Sequence, residues 1–68
     1  MTEKAKGILD RIVLALKEAH YDPYAQLTGY LETGDDSYIT RKDGARDAIK
    51  LLDKEVIRAY LAEAEAHL

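Results

Sequence analysis

The stretch from Tyr21 to Arg46, YDPYAQLTGYLETGDDSYITRKDGAR, constrains the fold more than any other part of the chain. It holds four of the five tyrosines, the only proline and three of the four glycines, set between two ordinary amphipathic segments. A plain helical hairpin has no use for that concentration of special residues. Asp22-Pro23 marks a helix start: a carboxylate placed to accept from the free N–H groups of the first turn, then a residue whose missing N–H does no harm there. The helix is expected over residues 23–33 and stops at Gly34, which takes the left-handed conformation that closes a helix end. Asp35-Asp36-Ser37-Tyr38-Ile39 is turn chemistry carrying two apolar side chains. Tyr38 and Ile39 are expected to fasten this loop to the core.

On either side of that stretch the apolar spacing is helical. Ile8, Leu9, Ile12, Val13, Leu16 and Ala19 fall on one stripe and predict a first helix over 4–20, with Leu14 off the stripe and His20 at the end. In the second helix Tyr24, Leu27 and Leu31 form a core stripe, while Gln26 and Tyr30 lie four apart on the far side. Gly29 sits inside that helix, where glycine costs about 1 kcal/mol relative to alanine. The close approach of another backbone is the simplest reason for it. Thr40 with Asp43 resembles a capping box opening a third helix over 41–52, with Ala45, Ala48, Ile49 and Leu52 inward. Asp53 is expected to cap a fourth over 54–67, its inner face made of Val56, Ile57, Tyr60, Leu61, Ala64 and Leu68. Ala59, Ala62 and Ala66 give that helix a second, small-residue face, and His67 carries no message. The expected architecture is a single all-α domain of four helices spanning residues 1–68.

At 68 residues the chain is near the lower limit for folding alone, and its sixteen Ile, Leu and Val side chains make a small core. A homodimer sharing its core follows as an expectation. Without cysteine there is neither a disulfide framework nor a thiolate metal site. No apolar run approaches the ~18 residues of a membrane span and no signal-peptide pattern opens the chain, so a cytoplasmic protein without membrane insertion is expected. The net charge of −3 argues against nucleic acid as the main partner. Residues 41–54 are a local exception, with Arg41, Lys42, Arg46, Lys50 and Lys54 against Asp43, Asp47 and Asp53. Lys/Arg to Asp pairing along a solvated face accounts for most of that run.

Catalysis lacks material, because Ser37 is the only serine and the two histidines stand near helix ends with no partnered acid. Asp35-Asp36 does not supply the alternating oxygens, the glycine and the final glutamate of a calcium loop, and the glycines match no phosphate-cradling pattern. No cofactor is implied. A helix-turn-helix nucleic-acid module is the alternative, since the third helix is locally basic. The seven residues from Gly34 to Thr40 exceed the three or four of that turn. The better fit is an interaction protein whose partner surface is Gln26, Tyr30, Tyr38, Arg41 and Arg46, combining residue types enriched at interface hot spots. For Arg46 an internal role, holding a neighbouring acid, weighs more than a partner contact.

Tyr21-Asp22-Pro23, Gln26, Gly29-Tyr30, Gly34-Asp35, Tyr38-Ile39, Arg41 and Ala45-Arg46 together resemble the IreB family of small bacterial regulatory phosphoproteins, over roughly residues 12–68. Asp22 stands where the family usually has Asn, and Asp36 and Thr40 where it usually has Pro. The family's longer, threonine-bearing N-terminal segment is absent, which leaves Thr2 as the terminal candidate for phosphorylation. The resemblance implies a homodimer, a non-catalytic role downstream of a membrane serine/threonine kinase, and contact with a cell-wall synthesis protein.

Overall fold

The Thr2 hydroxyl accepts from the Ala5 N–H at 3.1 Å and starts the first helix, α1 (Glu3–Glu18), in a computed structural model that describes residues 1–66. The apolar stripe of α1 does what its spacing predicts: Leu9, Ile12, Val13, Ala15 and Leu16 are buried and Ile8 packs at the edge of the core, while Leu14 stays exposed. The helix stops at Glu18, short of the expected residue 20, because His20 turns left-handed with φ 68°. Its N–H donates to the Lys17 carbonyl and that of Tyr21 to the Leu16 carbonyl, both at 3.0 Å, satisfying the end of the helix in a Schellman arrangement. A histidine in that conformation carries about 1 kcal/mol of strain that glycine would avoid.

Helix α2 (Pro23–Thr33) begins where Asp22 Oδ1 accepts from the Tyr24 and Ala25 N–H groups at 3.1 and 3.3 Å. It ends where Gly34, at φ 74°, donates its N–H to the Tyr30 carbonyl at 2.8 Å. Leu27 is fully buried, and Tyr24 and Leu31 pack against the core from its margin. The far-side placement of Tyr30 is corrected: its side chain is 8% exposed and belongs to the core. Helix α2 is covered on two sides, by α1 and α4 and by the loop that follows it.

From Gly34 to Asp53 regular helix is scarce. The Asp35 carboxylate accepts from the Ser37 N–H at 2.9 Å and starts a 3-10 turn, Asp36–Tyr38, after which Ile39 is fully buried. The expected third helix over 41–52 shrinks to a 3-10 turn, Lys42–Gly44, and the five-residue helix α3 (Ala45–Ile49). The capping box fails because Asp43 and Gly44 both lie at positive φ, 54° and 71°. Thr40 Oγ1 instead accepts from the Lys42 N–H at 3.2 Å, a turn contact rather than a helix cap. Ala45 and Ile49 are buried, Ala48 and Leu52 lie at the core margin, and Leu51 is 81% exposed. The last helix, α4 (Lys54–Ala66), starts with the Asp53 carbonyl accepting from the Val56 and Ile57 N–H groups. The expected extension to residue 67, and the roles of His67 and Leu68, lie outside the described residues.

The described residues form four helices and no strand. Helix α1 is central, packing against α3 on one side and against α2 and α4 on the other, and α2 packs on α4. Ile57, Tyr60 and Leu61 of α4 close the core. The accessible surface of 4547 Å² is close to the roughly 4300 Å² expected of a folded monomer of 7.7 kDa.

One polar contact ties the ends of the fold together. The Tyr60 hydroxyl, on a side chain only 8% exposed, donates to Asp10 Oδ1 at 2.7 Å, and Lys6 Nζ lies 3.1 Å from the other carboxylate oxygen. The hydrogen bond from Tyr60, then that from Lys6, holds the Asp10 carboxyl below its ordinary 3.8. Burial, and then the bond to Asp10, raises the Tyr60 hydroxyl far above its usual range. A carboxyl depressed on folding stabilises above its unfolded value and loses that contribution as pH falls through its folded one. Tyr60→Phe should cost about 1 kcal/mol at pH 7, and the gap to the native chain should close as pH drops below 3.8. Chemical denaturation at neutral and at acid pH measures it; a gap that persists in acid would show that ring packing, not the Asp10 bond, carries the effect.

Candidate docking surface

The residues singled out around the loop come together in space, but most of them face one another. Gln26, half-buried on α2, donates Nε2–H to the Tyr38 carbonyl at 3.0 Å. Arg46, half-buried on α3, donates Nε–H to the Ile39 carbonyl at 2.8 Å. Two consecutive carbonyls of the loop, which no helix or sheet supplies with donors, are thus each held by one long side chain from a different helix. The internal role expected for Arg46 takes this form, with a backbone oxygen as its hydrogen-bond partner and with its charge also acting on the neighbouring Asp35 carboxyl.

Gly29 explains the position of the Tyr38 ring. A Cβ at residue 29 would lie 2.5 Å from Tyr38 Cε1 and 2.6 Å from Cδ1, distances that no real contact tolerates. The close approach expected at this glycine is real, but it is made by a side chain of the same chain and not by another backbone. No second copy is needed to account for it. Thr33 adds to the fastening: its hydroxyl donates to the Gly29 carbonyl at 2.7 Å and accepts from the Asp35 N–H at 3.1 Å. Hydrogen bonds from Ser37 hold the Asp35 carboxyl below its ordinary range.

With Tyr30 in the core, Gln26 turned to the loop and the Tyr38 ring set against Gly29 of α2, what the surface presents is mostly charge. Asp36, Arg41, Gly44, Arg46, Asp47 and Lys50 line a cleft of about 400 Å³ between the loop and α3. Lys50 Nζ pairs with Asp36 Oδ2 at 2.9 Å across it, and Arg41 is exposed at its rim. Nearby, Lys42 Nζ lies 3.7 Å from Glu18 and 3.9 Å from Asp43, exposed pairs that contribute little to stability. The cleft was not visible as a unit in the sequence, because the positive φ angles at Asp43 and Gly44 that fold it have no helical spacing. Its signal was the local excess of Lys and Arg over 41–54. The helix-turn-helix alternative lacks its second helix, since only the five residues of α3 follow the loop as α-helix before the next turn.

Among the described residues no helix is long and apolar enough to cross a membrane. A family model described as IreB regulatory phosphoprotein matches residues 1–63. The match begins at residue 1, so it adds Thr2 and the first turns of α1 to the span over which the resemblance was read, and it includes every residue of the cleft.

Gly29→Ala gains helix propensity of about 1 kcal/mol and loses about 1–3 kcal/mol to overpacking against the Tyr38 ring. The expected net result is a lower melting temperature. In Gly29→Ala combined with Tyr38→Ser the penalty of the alanine should vanish, so the double-mutant cycle returns a clear coupling. Additive effects of the two substitutions would show that the ring and the glycine are not in contact.

Proposed function

Because the chain belongs to the IreB family of regulatory phosphoproteins, we propose that it is a non-catalytic cytoplasmic regulator. It works downstream of a membrane serine/threonine kinase and tunes cell-envelope synthesis through contact with a protein of that pathway. The family supports the regulatory part of this reading, and a phosphoprotein requires a kinase. The observation that carries the docking part is the charged cleft, because its Arg46 and the loop beside it are held in place by the chain's own contacts. The clamps from Gln26 and Arg46 and the Tyr38–Gly29 contact hold the loop in one geometry. Preordered walls reduce the entropy lost on binding. Arg41, at the exposed rim, is the side chain assigned to the partner, while Tyr30 contributes only to the fold.

Thr2 is the proposed phosphorylation position. Its hydroxyl is exposed and already serves as the cap of α1. A phosphate there would bring negative charge to the positive end of a helix dipole, a favourable place for it. The test of the proposal is capture of partners from cell extract, with mass spectrometry of the bait after incubation with the cognate kinase. Arg41→Ala should lose the partner while keeping its helical circular dichroism, and Thr2→Ala should lose the phosphate. Undiminished capture by Arg41→Ala removes the docking surface, and phosphate added equally to Thr2→Ala removes the modification site.

Self-association belongs to the same proposal, supported by apolar side chains that the monomer leaves uncovered. Leu51, 81% exposed, lines a shallow groove with Ala5, Ile8 and Leu52 where α1 meets the end of the α3 segment. Gly7 on the neighbouring turn has open space where a side chain would be, room for a second helix to come close. Leu51→Glu should lower the mass found by sedimentation equilibrium from dimer to monomer. A native chain that sediments as a monomer excludes the dimer, and an unchanged dimer in the variant excludes this face.

A further inference from the structure

We propose that the cleft lined by Arg41, Arg46 and Lys50 receives a phosphorylated serine or threonine side chain on an extended segment of a partner protein. This rests on the docking reading above and names what is docked. Arg46 and Lys50 are four residues apart, on one side of the α3 segment. The left-handed pair Asp43-Gly44 turns the preceding chain back so that Arg41 lines the same cleft. The result is three cations from a short run of sequence around one depression, against the two acids Asp36 and Asp47, a local balance of 3 − 2 = +1. That local sign is opposite to the −3 of the whole chain.

The existing contacts select among anions. Lys50 already has a carboxylate partner in Asp36 at 2.9 Å. An incoming carboxylate with a single charge does no more than replace it. Arg46 has its Nε–H committed to the Ile39 carbonyl, which fixes the plane of the guanidinium and leaves its terminal N–H groups as donors. The ion pairs of the described residues leave Arg41 out. A phosphomonoester carries up to two charges and three acceptor oxygens, enough to engage all three cations at once. A nucleic-acid backbone carries one charge per phosphate at regular spacing and is bound by a stripe of cations, not by one isolated cleft in an acidic chain.

The probe is a short alanine–glycine peptide with one central phosphothreonine, titrated into the intact chain at low salt and followed by NMR of the amide and arginine Nε–H signals. Its unphosphorylated twin, inorganic phosphate and a short single-stranded oligonucleotide are titrated alongside. The phosphopeptide should bind about tenfold or more tighter than its twin, with shifts centred on residues 41–50. Arg41→Ala and Lys50→Ala should each weaken it several-fold with unchanged circular dichroism. Equal affinity for the two peptides, unchanged affinity in Arg41→Ala, or binding of inorganic phosphate or the oligonucleotide as tight as the phosphopeptide would overturn the assignment. Should capture from extract still depend on Arg41 while the phosphopeptide shows no preference, the docking surface stands and the phosphate is wrong.

Discussion

The placement of the Tyr38 ring against the bare backbone of Gly29 is the contact on which the ordering of the chain between α2 and α4 depends. That region runs for some twenty residues with only one short α-helix in it. Irregular backbone of this length is ordered only if its polar groups find partners and its apolar groups find a core. Ile39 supplies the apolar anchor, fully buried in the same core cluster as Leu27 of α2 and Ile49 of α3. Gln26 and Arg46 satisfy the successive carbonyls of Tyr38 and Ile39. An interior glycine, unfavourable in α2 by its propensity, is offset by what it admits.

Where local chemistry decides structure, the sequence was legible. Asp22-Pro23 and Gly34 mark the ends of α2 by capping geometry alone, and the stripe of α1 needs nothing beyond its 3.6-residue repeat. Where contacts join distant residues, it was not. The Tyr60 hydroxyl reaches Asp10 across 50 positions, with no spacing to betray it. Tyr30 looked like a surface residue because α2 is covered on two sides, so its periodicity has no single dry face. The third helix was misread for a different reason. Thr40 and Asp43 satisfy the pattern of a capping box, yet a pattern of side chains does not fix the backbone, and Asp43 adopts a left-handed conformation next to Gly44.

The same difference separates the candidate site from its sequence outline. Gln26, Tyr30, Tyr38, Arg41 and Arg46 were gathered as one surface; the structure sends Tyr30 to the core and makes of the others a clamp with a charged outer edge. Long polar side chains are equally suited to a partner's groups and to the chain's own carbonyls, and composition does not distinguish the two. Only Arg41 faces outward without a structural task, while Lys50, which the sequence left among the solvated charges, completes the wall beside it. A small domain with little core has reason to use such residues twice.

Arg46 is where the two uses meet. Its guanidinium grips the Ile39 carbonyl through Nε, and the same side chain lines the cleft. Thermodynamic reciprocity then forbids the two from being independent: whatever steadies the arginine from outside also tightens the grip on the main chain, and whatever frays the main chain loosens the arginine. In a domain of this size, occupancy at the rim and order in the interior become one equilibrium seen from two ends.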